Sequence, residues 1–151
     1  MDRFEGLTVG DADSFGEYDV TAEEITEFAE QYDPQPFHTD PEAASETPFG
    51  GLVASGWHTA AMTMRVLVEN RLETVATRGA VGVDELRWHS PVRPGQTLTV
   101  ETEVAGKRDW DESTGLVELA VTTLADDEPA MTMVGLVLVE RSAENDPGGP
   151  H

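Results

Sequence analysis

GLVASGWHTAAMTMRVLVEN, residues 51–70, is the stretch whose reading settles the architecture. From Gly56 onward it is apolar almost all round, and only Arg65 and Glu69, four apart, mark a charged edge. A segment of that length and pattern reads as a helix buried in the body of the protein. Gly51 and Gly56 have the spacing of a phosphate-binding loop. Trp57 and His58 stand where such a loop needs Lys and Ser or Thr, which excludes nucleotide hydrolysis.

Downstream the apolar period changes from the helical repeat to two. In QTLTVETEV, residues 96–104, Leu98, Val100, Thr102 and Val104 face one way, while Thr97, Thr99, Glu101 and Glu103 face the other. GLVELAVTTL and AMTMVGLVLV are two more strands, the second apolar on both faces and so central or at an interface. GAVGVDELRWHSPV is a fourth, with a slip near Asp84 and Glu85 of the kind a bulge makes. SPVRPG, DWDESTG and ADDEP are turns. One buried helix followed by an antiparallel meander predicts an α+β fold, an antiparallel β-sheet wrapped around a central α-helix.

Upstream, VTAEEITEFAEQYDP starts a helix with a capping box, Thr21 and Glu24, and a hydrophobic staple, Val20 and Ile25. The helix stops near Tyr32, because Pro34 drives Asp33 out of the α region. DPEAASE, residues 40–46, reads as a short helix, and TPFGGLVASG as a loop. The chain of 151 residues is read as one domain over 1–142, with AENDPGGPH, 143–151, as a disordered tail.

Thirty Asp and Glu against nine Lys and Arg give a net charge of -21. Nucleic-acid binding is not expected, since phosphate neutralisation needs clustered cations. Dispersed self-repelling acids suggest adaptation to a salt-rich cytoplasm, which equal stability in dilute buffer and molar KCl would contradict. No secretory leader and no run of about 18 apolar residues is present, so a cytoplasmic, non-membrane protein is expected. The chain has no cysteine, which excludes disulfides, thiolate metal sites and a cysteine nucleophile.

Asp33 and His38 lie in QYDPQPFHTD with Pro34 and Pro36 between them. An α-helix does not carry such a pair, but a compact proline turn brings the side chains together, and a carboxylate beside an imidazole suits proton transfer. Spacing alone leaves a plain helix stop and a solvated histidine as the simpler account. Gly56 opens the long helix, where free N–H groups and the helix dipole polarise a carbonyl oxygen; close packing is its other explanation. Asp11 and Asp13 begin like a calcium loop, but Phe15 and Ala22 occupy ligand positions. His58 and His89 have no cluster around them in the sequence, so no metal is expected. Trp57 and Trp88 read as core or interface, and Arg87 and Arg93 flank SPVRPG as candidates for an anionic ligand.

Three stretches, YDPQPFHTDPEAA, PFGGLVASGWHTAAMTMRVL and LRWHSPVRPGQTLTVETEV, together resemble the MaoC-like (R)-specific enoyl-CoA hydratase and dehydratase family, over roughly Phe4 to Glu140. The resemblance implies a hotdog fold and a homodimer or higher homo-oligomer whose two sheets join, with the active site near that interface. It implies Asp33 and His38 as catalytic residues and Gly56 as the thioester contact, with an acyl-CoA substrate and no cofactor. Three departures bear on the acyl group: Gln35 where Asn is common, Phe37 in place of a smaller aliphatic residue, and Met64 where some members carry serine. A hotdog thioesterase and a non-catalytic acyl-CoA binding module are the alternatives.

Overall fold

Thr21 begins the first helix as the sequence predicts. In a computed structural model describing residues 1–142, helix α1 runs Ala22–Tyr32, and Thr21 Oγ1 accepts from Glu24 N at 3.1 Å. Val20 and Ile25 are buried in one cluster, completing the staple. The box closes on one side only. The Glu24 carboxylate accepts the Tyr18 hydroxyl at 2.7 and 2.8 Å instead. The expected tail, 143–151, lies outside the described residues.

Two short helices follow, α2 Pro36–Thr39 and α3 Pro41–Ser45, each opened by proline at its first position, where a missing N–H costs nothing. Asp40 caps α3 by accepting from Glu42 N and Ala43 N. The turn expected at 34–38 therefore contains a helical turn of its own. Helix α4 spans Gly56–Asn70 with Ser55 as its cap.

Five antiparallel strands, β1 Ala12–Asp19, β2 Thr77–Trp88, β3 Thr97–Asp109, β4 Thr114–Ala125 and β5 Glu128–Glu140, form one sheet in the order β1-β3-β4-β5-β2. This is the hotdog arrangement, a sheet curved around the central α4. Leu98, Val100, Thr102 and Val104 are all buried, as their alternation predicts. Val100 and Val104 pack with Val117, Leu119, Val121 and Val139 against Val66 and Leu67 of α4, and Leu98 packs in a second cluster with Ile25 and Met62. The slip in β2 is real: its register shifts between Asp84 and Arg87, and Glu85 has φ 56°.

Strand β1 lies outside the four segments that alternation marks as strands, because acids and a glycine interrupt its pattern on an exposed edge. Gly16 explains the interruption: it has φ +89° beside a register shift, and a Cβ there would fall 2.4 Å from Val66 Cγ1. The edge strand bulges to admit the central helix.

Helix α4 corrects the reading of a helix buried in the body of the protein, since it is not buried all round. It packs against β1 and β3. Its far side leaves Trp57, Met64 and Val68 exposed at 59%, 47% and 43%. Val83 and Trp88 of the edge strand β2 are also exposed. The apolar run thus serves two faces, one of them uncovered in the single chain. No helix among the described residues is long and apolar enough to cross a membrane.

Candidate functional site

Asp33 leaves α1 at φ -154° and ψ 67°, its N–H still bonded to Ala29 O. Gln35 then caps α2, and that single turn directs His38 back towards the carboxylate. His38 Nε2 lies 3.4 Å from Asp33 Oδ2, and the imidazole is buried. Its Nδ1 sits 2.7 Å from the Val53 carbonyl oxygen. A carbonyl only accepts, so Nδ1 carries a proton and Nε2 is the nitrogen presented to Asp33.

Two donors hold the carboxylate. Gln35 Nε2 donates to Oδ1 at 2.6 Å, and Ser55 Oγ donates to Oδ2 at 2.8 Å. The Gln35 amide, then the Ser55 hydroxyl and the His38 ring, keep the Asp33 carboxyl below the ordinary carboxylate range, while burial opposes them. An ionised carboxylate and an imidazole within reach of one water can exchange protons with it.

Ser55 has a second partner. Its Oγ accepts from Trp57 N at 3.2 Å, so one hydroxyl joins Asp33 to the start of α4. The Gly56 N–H, first in that helix, has no acceptor among the described residues. It stands where the helix dipole favours negative charge. Close packing also operates at Gly56: a Cβ there would lie 2.4 Å from Trp88 Cε2. An unbonded N–H and close packing are thus both present at this glycine.

A cavity of about 380 Å³ opens beside these groups, with Phe37, His38, Phe49, Gly56, Thr59 and Trp88 in its wall. The Phe37 ring meets His38 edge-on at 4.5 Å and Phe49 at 5.6 Å. Arg93 Nη2 donates to the Phe49 carbonyl at 2.7 Å, bracing that wall from outside. Gln35 does not line the cavity, because its amide is engaged by Asp33.

Two expected residues are not brought to this point. Met64 lies two turns along α4 on the exposed side, about 12 Å from Gly56 along the helix axis. Arg87 precedes Trp88 on β2 and so occupies the opposite sheet face, its Nη1 on the Leu86 carbonyl. Ser55 and the Val53 carbonyl were missed. A serine immediately before an apolar helix is a cap signal that points to Ser55, whereas nothing in a sequence marks a backbone carbonyl 15 positions from its histidine.

A second histidine–carboxylate pair lies nearby. His58, 4% exposed, stacks on Phe28 at 4.7 Å, with Nε2 3.6 Å from Glu24 Oε1. Its Nδ1 is buried without a partner. Burial pushes the His58 pKa down, with Glu24 opposing; burial and the bond to Glu24 push the Tyr18 hydroxyl up to about 12. Among the described residues no three His, Asp or Glu side chains are grouped to ligate one metal ion.

Residues 8–125 match the MaoC like domain family. The 3-hydroxybutyryl-CoA dehydratase of Methylorubrum extorquens is 31% identical over 146 residues, covering 95% of this chain and 88% of that protein. Among solved structures, a MaoC-like dehydratase from Rhodospirillum rubrum is 41% identical with a TM-score of 0.86, over 94% of this chain and 99% of the other. The (R)-hydratase from A. caviae involved in PHA biosynthesis is 25% identical with a TM-score of 0.72, over 88% and 97%.

Proposed function

The chain belongs to the MaoC-like domain family, and from that premise we propose that it is an (R)-specific enoyl-CoA hydratase and 3-hydroxyacyl-CoA dehydratase. The observation that carries the reading is the Asp33–His38 pair, 3.4 Å apart beside a cavity walled by His38 and Gly56. The thioester oxygen of a trans-2-enoyl-CoA accepts from the Gly56 N–H, which stabilises the negative charge that grows there as an enolate forms. A water held between Asp33 and His38 loses a proton to the Asp33 carboxylate as its oxygen bonds to C3. The proton taken up by Asp33 passes to the free Nε2 of His38 and from there to C2, completing syn addition and restoring both groups, and dehydration runs the same steps backwards. These steps call on no metal or organic cofactor.

The mostly apolar cavity wall suits the acyl end of the substrate, with Phe37 and Phe49 limiting its bulk. The CoA phosphates need cations in an acidic chain. Among the described residues, six of the eight arginines lie within 4 Å of a carboxylate, and Arg87 and Arg93 do not. Arg93, next to the cavity wall, is the better anchor of the two. The uncovered apolar side of α4 and the free edge of β2 favour a second copy of the chain as partner.

The test is turnover of crotonyl-CoA, followed by loss of the conjugated enoyl absorbance with a thiol reagent present. Hydration without thiol release supports the reading. Thiol release turns it into a thioesterase, and binding without either reaction leaves a non-catalytic acyl-CoA module.

A further inference from the structure

We infer that Gln35 is a positioning residue for Asp33: by holding Oδ1, its side-chain amide aims Oδ2 at His38 and sets the carboxylate's strength as a base. The inference rests on the proposed hydration only for its kinetic consequence. A carboxylate on its own rotates about its last bond and presents either oxygen to its neighbours. Here the oxygens have separate partners, Gln35 Nε2 at 2.6 Å on Oδ1, and Ser55 Oγ at 2.8 Å with His38 Nε2 at 3.4 Å on Oδ2.

The backbone makes Gln35 a fixed mount for that amide. Its N–H donates to Asp33 O at 2.8 Å, and its carbonyl accepts from His38 N at 2.9 Å and Thr39 N at 3.1 Å. Residues 33–39 are thereby one hydrogen-bonded unit, and the Gln35 side chain reaches back across it. An asparagine on the same backbone is one methylene shorter and falls short of a 2.6 Å contact. Hydrogen bonds to a carboxylate favour its ionised form, so losing this donor makes Asp33 easier to protonate.

Gln35 is also the cleaner residue to change. Ser55 caps α4 as well as binding Asp33, so its loss mixes helix stability with carboxylate chemistry. The Gln35 side chain is exposed and supports no core residue.

The experiment titrates the Asp33 carboxyl by carbon-detected NMR in substrate-free wild type, Gln35→Ala, Gln35→Asn and Gln35→Glu. The pH dependence of kcat/KM for crotonyl-CoA hydration is measured on the same proteins. The midpoint is expected to rise in all three variants, most in Gln35→Glu, where two carboxylates compete for one proton. The acid limb of kcat/KM moves up in pH with it, while KM changes less than about twofold. Unchanged midpoints overturn the inference, as does a rise in KM alone, which would make Gln35 a substrate contact. Raised midpoints in a protein that does not hydrate enoyl-CoA uphold the role of Gln35 and refute the proposed function.

Discussion

Two buried histidines sit beside carboxylates in this molecule, and they differ in what their surroundings leave free. At His38, Nδ1 is committed to the Val53 carbonyl, Nε2 faces Asp33, and a cavity with an unbonded helix N–H adjoins the ring. At His58, Glu24 is already bonded through both oxygens to Tyr18, the ring is stacked on Phe28, and Nδ1 is enclosed with no partner. Proximity of an acid and an imidazole is common to both. A defined tautomer, an available carboxylate and an unbonded backbone N–H beside a cavity belong together only to the first. The second joins α1, β1 and α4 and serves packing.

The sharpest way to break this contrast is at Asp33. Asp33→Asn keeps the shape of the side chain and removes the base, so enoyl-CoA hydration falls by about 10²- to 10⁴-fold. Next comes Gly56→Ala. Its methyl meets the Trp88 indole, destabilising the protein by about 1–3 kcal/mol in a denaturant titration. The cost of that methyl shrinks when it is introduced into a Trp88→Ala background.

A pH experiment separates the histidines by stability. The His58 pKa is lowered on folding from 6.5, so the unfolded chain binds the extra proton. The folded state is favoured above pH 6.5 and loses that advantage as pH falls from 6.5 through the lowered value. His58→Gln flattens the fall in Tm over that window. Asp33, also lowered, has its loss below its ordinary value of 3.8, clear of the His58 window. The smallest effect is expected at the cap of α1, where Thr21→Ala costs about 1 kcal/mol and leaves turnover unchanged.

Local rules made much of the fold legible. Thr21, the 98–104 alternation and the slip at Glu85 each follow from neighbours close in sequence. β1 did not, because the reason for Gly16 is Val66, 50 residues away. The exposed side of α4 was hidden for a related reason: an apolar residue does not say whether its own chain or another covers it. In the site, Asp33, His38 and Gly56 were singled out by residue type and setting. The Val53 carbonyl depends on how the loop at 46–55 returns to α2, which no spacing encodes, whereas the Oδ1 contact of Gln35 arises inside the 33–39 turn from the rotamer of one side chain.

The contrast between the histidines is tested most directly by measuring kcat/KM for crotonyl-CoA hydration at pH 7.5 in His38→Ala and His58→Gln, with both proteins confirmed folded. The account predicts a loss of at least about 10²-fold for His38→Ala and less than about tenfold for His58→Gln. Equal losses, or a greater loss at His58, would contradict it.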